Sequence, residues 1–295
     1  MQLALPWVRE NVGKKILVVA SDIARYGLKN NAESSQGGAA AAFVLSANPR
    51  VLAFDTEYCA LTEDVMDFWR PNYLHEALVE GKYSSKLYLN MLEKCWQQYS
   101  TQSARGFADH AYYCYHTPVP RLVEKAHAYL AKCSQQTQLD EDQLQQQLAS
   151  TLTYSQQIGN SYAASLYVGL ASLLDNANDL TNQRVGFYSY GSGCVAEFFS
   201  GIVQPGYQKA LQTAHHQALL NNRIMLTCDE YEQFYQYEYN MAGAEQIMPE
   251  YDTGSFRLTK MQQHKRIYED VARTRPLCTG NNFPDMKSMS GLQAS

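Results

Sequence analysis

The sequence predicts an α/β fold in which sheets lie between layers of helices. Three observations point there. Residues 15–22 form a short, continuous apolar run ending in small and acidic residues, the pattern of a strand covered on both faces. Spacings of three and four between apolar residues then dominate the middle of the chain. A second strand pair, near residues 184–199, echoes the first. Each pair has an apolar strand, a polar or glycine-rich break and a small-residue strand, so a weak internal duplication is expected.

The elements follow in order. A polar loop spans residues 29–36. Residues 37–45 read as a second buried strand, and their tiny side chains imply another backbone packed close. Ser84 or Ser85 can cap a helix with Tyr88, Leu92, Cys95, Trp96 and Tyr99 on one face. Pro120 suits a first helical turn, with Leu122, Ala126 and Leu130 following. Asp140 can cap a third helix with Leu144, Leu148 and Leu152 along one side and glutamines on its solvated side. Residues 162–174 are apolar or small nearly all round, which predicts a buried helix. Strands follow at 184–190 and 194–199, separated by Gly191-Ser192-Gly193. Tyr231, Phe234 and Tyr235 mark one more helix, and the segment beyond Arg275 reads as a loose tail.

Composition narrows the function. The 295 residues fit one large domain or two ordinary ones, and 45% apolar with 18% charged residues can build a sizeable core. A net charge of −5 leaves no basic surplus for a phosphate backbone, so nucleic acid is not an expected partner. No apolar run approaches the about 18 residues of a spanning helix. The N-terminal residues lack the order of a secretory leader, so neither membrane insertion nor export is expected. Seven cysteines without CxxC pairs read as reduced thiols, which points to a cytoplasmic protein without a disulfide frame.

Several residues could carry chemistry. His116 closes a short apolar strand just before a helix, where it could donate to a carbonyl or relay protons. A hydrogen-bonded structural histidine is the alternative. Arg121 and Lys125, four apart, face one way on the next helix and could hold phosphates, or form a solvated charged face. Asn160 is either a helix cap or a ligand contact at the mouth of a buried helix. Ser192 sits between glycines that let backbone amides approach a ligand, as a plain turn would also do. The segment is neither GxSxG nor GxGxxG, so no hydrolase elbow or dinucleotide site is indicated. Cys194 lies in a strand pattern and reads as a small buried residue. Adjacent His215 and His216 point about 100° apart, and no His/Cys spacing suggests a metal.

Five segments, in order and spacing, resemble the hydroxymethylglutaryl-CoA synthase family in its compact bacterial form. They are SDIARY (21–26), DVMDFWRP (64–71), YHTP (115–118), GNSYAASLY (159–167) and FYSYGSG (187–193). The likeness runs from about residue 8 to about residue 269. It implies a thiolase-like α/β fold of two similar halves, each with a mixed sheet between helices, assembled as a homodimer. Residues 1–53 would end the first half, 54–275 would form the second, and 276–295 would be the tail. The first half would be largely missing.

The resemblance also implies a reaction with no cofactor and no metal. Acetyl-CoA acylates a cysteine, a glutamate removes a methyl proton, and the enolate attacks acetoacetyl-CoA. Water then releases 3-hydroxy-3-methylglutaryl-CoA, a mevalonate-pathway precursor of isoprenoids. Covalent capture divides one hard step into easier ones. By position, His116 matches the histidine that orients the acetoacetyl thioester. Asn160 and Ser192 match acyl-pocket residues, and Ser35 stands where a threonine is usual. Ser84 matches a CoA-side serine, Arg121 and Lys125 match CoA-contacting cations, and Asp22 and Asp67 match acidic supports. The family's cysteine and glutamate precede the segment matching residue 1, and none of the seven cysteines aligns with the nucleophile, so this chain alone is expected to be inactive. Two rivals remain: another thiolase-like acyl-CoA condensing enzyme, such as a ketoacyl synthase, and a non-catalytic CoA-binding or scaffold remnant.

Overall fold

The apolar runs become strands and the helical spacings become helices in a computed structural model that describes residues 1–74, 76–136, 140–238, 242–250 and 255–271. Two compact units divide the chain, Met1–Thr213 and a second from Ala214.

The first unit opens with α1 (Ala4–Glu10), β1 (Lys15–Ala24) and β2 (Gly37–Ser46). The two strands pair antiparallel, from Lys15 opposite Ser46 to Ala24 opposite Gly37. Next come β3 (Leu52–Thr62) and a short ladder of β4 (Phe68–Trp69) with β5 (Leu78–Val79). The long helix α2 (Gly81–Ser103), β6 (Tyr112–Tyr115) and α3 (Pro120–Cys133) follow. Three short helices, α4 (Glu141–Gln146), α5 (Ala149–Leu152) and α6 (Ser155–Ile158), lead to α7 (Ser165–Asn176). The strands β7 (Arg184–Gly191) and β8 (Val195–Val203) complete a four-stranded sheet ordered β3-β8-β7-β6. Only its β6–β7 pair is parallel, so the sheet is mixed as expected. The two strand pairs that echo one another in sequence, β1–β2 and β7–β8, are both antiparallel neighbours.

Side-chain alternation along the sheet splits the core into two layers. Tyr113, Tyr115, Tyr188, Tyr190 and Phe198 point to one side, with Tyr88, Leu92 and Trp96 of α2 and Leu130 of α3. Cys114, Val185, Phe187 and Phe199 point to the other, with Leu166 and Leu173 of α7. Buried tyrosines lose water around their hydroxyls, and each needs a partner. Tyr88 donates to His116 O at 2.8 Å, Tyr188 to Tyr88 O at 2.9 Å, and Tyr99 to Ser200 Oγ at 2.7 Å.

The second unit holds α8, which starts at the boundary (Thr213–Asn221), and α9 (Cys228–Gln236), capped by Thr227 and Glu230. A sheet ordered β11-β10-β9 is built from β9 (Gln246–Ile247), β10 (Phe256–Gln262) and β11 (Lys265–Asp270). The expected tail, 276–295, lies outside the described residues.

Three expectations are corrected. First, β1 and β2 are covered on one face only. Leu5 and Val8 of α1 pack beneath them against Leu45 of β2. On the other face Leu17, Val19, Ile23 and Val44 are 65%, 59%, 71% and 57% exposed. Second, Ser84 and Ser85 do not cap α2, which begins at Gly81. Ser85 Oγ donates back to Gly81 O at 2.7 Å, and Ser84 turns to Asp67.

Third, the single helix expected after Asp140 is broken into pieces, although Asp140 does cap its start. The interruption of the expected run lies between Gln146 and Ala149, and a second break, after α5, has a cause in α7. Ser172 Oγ donates to Ser150 O at 2.6 Å and accepts from Tyr154 N–H at 3.2 Å. Those are the two groups that a continuous helix would join directly. Ser172→Ala would leave both buried without this partner, at a cost of about 1–2 kcal/mol. A fall of that size in the unfolding free energy from urea titration is expected, and an unchanged value would overturn the account.

Candidate functional site

The loop leading into α7 collects most of the predicted residues. Gly159 has φ +82°, and a Cβ there would lie 2.3 Å from Gln36 O. A Cβ on Gly37 would lie 2.2 Å from Ile158 O. The two backbones therefore touch only because both residues are glycine. This is the close approach that the small residues of β2 implied.

Across that contact Asn160 N–H donates to Ser35 O at 2.9 Å. Ser35 thus meets the loop through its carbonyl, while its hydroxyl donates to Ala32 O at 2.7 Å. The buried Asn160 side chain donates to Tyr26 OH at 2.7 Å and accepts from Tyr162 N–H at 2.9 Å. Asn160 therefore satisfies a backbone amide and also anchors a ring. Asp22 Oδ2 accepts from Ala163 N–H at 3.3 Å. Tyr26, Phe68 and Tyr162 pack as three rings with centroids 6.0–6.1 Å apart. Burial raises the Tyr26 hydroxyl pKa, so it stays a neutral donor.

His116 leaves the end of β6. Its N–H donates to Tyr188 O at 2.7 Å, and its ring Nδ1 lies 2.9 Å from Ser165 Oγ. Burial pushes its pKa down to about 4, against a backbone hydrogen bond with Tyr162 that works the other way. The imidazole is neutral at neutral pH, which suits hydrogen bonding to a carbonyl better than carrying charge.

Asp67 is fully buried. Burial alone would raise its pKa. Hydrogen bonds from Tyr190 OH at 2.8 Å, Gly193 N–H at 3.0 Å and Ser84 Oγ at 3.0 Å, with Ser192, outweigh burial and hold it below the usual range. Asp67 therefore fixes the turn that presents Ser192. Its neighbour Phe68 joins the Tyr26 rings, and the Tyr190 ring centroid lies 6.5 Å from that of His116.

The fold thus gathers Asp22, Ser35, Asp67, Ser84, His116, Asn160 and Ser192. Arg121 and Lys125 are not drawn in. Both are exposed on α3, and Arg121 pairs with Glu124 at 3.4 Å. Cys194 is buried beside Ser192, and burial raises its thiol pKa. Among the described residues no cluster of His, Cys, Asp or Glu could hold a metal. A polar cavity of about 380 Å³, walled by Gln143, Gln146, Gln147 and Gln183, is lined by none of the gathered residues. Sequence reasoning left Tyr26, Ser165 and Tyr190 without roles. A hydroxyl at the first position of a largely apolar helix was the available signal for Ser165.

A family model for the hydroxymethylglutaryl-coenzyme A synthase C-terminal region matches residues 52–137 and 132–270. The chain belongs to this family. A hydroxymethylglutaryl-CoA synthase of Enterococcus faecalis is 41% identical over 79% of this chain and 60% of its own length. A 3-hydroxy-3-methylglutaryl-ACP synthase of polyketide biosynthesis from Bacillus subtilis is 32% identical over 75% of this chain and 56% of its own. This chain thus spans little more than half the length of these curated relatives. A crystal structure of hydroxymethylglutaryl-CoA synthase complexed with CoA superposes with a TM-score of 0.83 at 36% identity, covering 91% of this chain and 70% of that one. The fold is thiolase-like, as the resemblance implied.

Proposed function

We propose that this chain carries the acyl-CoA-binding part of a hydroxymethylglutaryl-CoA synthase, which condenses acetyl-CoA with acetoacetyl-CoA to 3-hydroxy-3-methylglutaryl-CoA and CoA. The observation that carries the reading is the neutral His116 ring beside Tyr190 and the α7 loop, in a chain 41% identical to such an enzyme. His116 orients the acetoacetyl thioester. Asn160, Ser192 and Ser35 line the acyl end, and Ser84 lies on the CoA side. Exposed Arg121 and Lys125 offer cations to CoA phosphates, Arg121 with a planar fork and Lys125 as a point charge. Asp22 and Asp67 support the loops.

The thiols of the first unit lack the surroundings that activate a nucleophile. Burial raises Cys59, Cys95, Cys114, Cys133 and Cys194, the opposite of activation. On the resemblance, which aligns none of the seven cysteines with the family's nucleophile, acylation depends on a cysteine and a glutamate that residues 1–295 do not supply, and the chain alone makes no product. A cytoplasmic homodimer serving isoprenoid synthesis, with thiolase-like halves meeting near residue 53 and a tail from 276, completes the proposal. Among the described residues no helix is long and apolar enough to cross a membrane. The polyketide relative favours one second reading, in which the acyl group arrives on a carrier protein.

Titrating the chain with acetoacetyl-CoA and with CoA tests the proposal. Acetoacetyl-CoA is expected to bind about fivefold tighter, the worth of one hydrogen bond of about 1 kcal/mol. His116→Ala should erase that difference, and neither chain should release thiol from acetyl-CoA plus acetoacetyl-CoA. Equal binding of both ligands would overturn the role of His116. Binding of an acylated carrier protein but not of CoA would select the second reading.

A further inference from the structure

The geometry points to Ser165 as a positioning residue that sets the tautomer of His116, placing the ring proton on Nε2. The inference deepens the reading of His116 given above and rests on it. Ser165 is 1% exposed at the start of α7, so its hydroxyl must find its partners within the protein. Thr117 N–H lies 3.1 Å from Ser165 Oγ, and an amide N–H can only donate. That contact uses the oxygen as acceptor and leaves the single Ser165 hydrogen to be given elsewhere. His116 Nδ1, at 2.9 Å, stands in position to take it. A neutral imidazole has one N–H and one bare nitrogen. With Nδ1 accepting from Ser165, the N–H is that of Nε2.

The opposite tautomer would put two donors, Thr117 N–H and His116 Nδ1–H, on one oxygen and strand the buried Ser165 hydrogen. The ring's hydrogen bond to the Tyr162 backbone fits the same assignment. A carbonyl accepts, and the N–H left to give is that of Nε2. The pKa of about 4 keeps the ring in this neutral form throughout the neutral range. Ser165 and Thr117 thereby decide what His116 can do. It donates from Nε2, to the Tyr162 carbonyl in this structure and to a thioester carbonyl only by exchanging that bond, and it cannot serve as a base through that nitrogen. Ser165 itself acts only through the ring.

Nitrogen-15 NMR of the imidazoles in the full 295-residue chain, near pH 7 and without ligand, reads this directly. The His116 signals are assigned with His116→Gln. In the wild type Nδ1 should appear bare and Nε2 protonated. Ser165→Ala should weaken the preference about fivefold, the worth of one hydrogen bond, while the His110 and His127 signals stay in place. Ser165→Thr, which keeps the hydroxyl, should restore it. A wild-type ring protonated on Nδ1 overturns the inference, and this needs no variant to fold. A preference unchanged in a folded Ser165→Ala chain overturns the role of Ser165. Failure to bind acetoacetyl-CoA would count against the proposed function and leave the tautomer result standing.

Discussion

Gly159→Ala is expected to destabilise the first unit by about 3 kcal/mol and to release Asn160 from Ser35. Gly159 has φ +82° and ψ −166°, a region that side chains beyond glycine essentially avoid, at a cost of order 1–3 kcal/mol. The added methyl would also lie 2.3 Å from Gln36 O, so one backbone must retreat. Gly13 supplies the control. It has φ +92° but nothing within 4 Å of its Cβ position, so Gly13→Ala carries a positive-φ cost without the collision. Urea unfolding of the two variants separates the effects, and hydrogen exchange at Asn160 N–H reports the lost contact. Equal shifts in both variants would show that the close approach contributes nothing. Because Asn160 also holds Tyr26, the same change should disturb the three-ring cluster.

Asp67→Asn is expected to be as damaging, for an electrostatic reason. The carboxylate collects Tyr190 OH, Ser84 Oγ and Gly193 N–H in a buried site, with Ser192 adding a fourth donor. An amide turns half of that acceptor into a donor, and hydrogen bonds to a charged group are worth about 1.5–3 kcal/mol each. We expect a loss of about 3 kcal/mol at pH 7. The pH profile identifies the cause. The folded pKa of Asp67 lies below 3.8, so the unfolded chain binds more protons there. Its contribution is complete above that value and is lost as pH falls through the folded pKa. The variant should therefore lie below the wild type near pH 7 and converge with it in strong acid. His110, His116 and His127, all pushed down to about 4, weaken both proteins over a higher window, from 6.5 down to about 4. A gap that closes only in that higher window would assign the effect to the histidines.

What the sequence revealed depended on how local the cause was. The runs at β1, β2 and β7 are legible because a strand's burial is written in consecutive residues. Asp140 and Pro120 announce their helices because capping needs only neighbours. The break after α5 was not legible, since the hydroxyl that makes it sits in α7. Ser84 looked like a cap because its true acceptor, Asp67, is 17 residues away. The site showed the same division. Gly37 and Asn160 stood out by residue type, but the partner of Asn160, Tyr26, is 134 residues distant and no spacing rule connects them. One-sided burial of β1 and β2 is not written in the strands themselves, because an apolar run does not say how many of its faces are covered.

The mixed sheet sets a tempo as well as a shape. Leu52 pairs with Val203, and β6 pairs with β7 across the whole of α3 to α7. Such pairings bring together segments far apart in the chain, and loop-closure entropy opposes them until the contacts are made. The helices between can form early and still leave His116 without the Tyr188 carbonyl that receives its backbone N–H. Assembly of the site thus waits on a slow meeting of distant strands. During that wait the apolar edges of the sheet stand open to other chains.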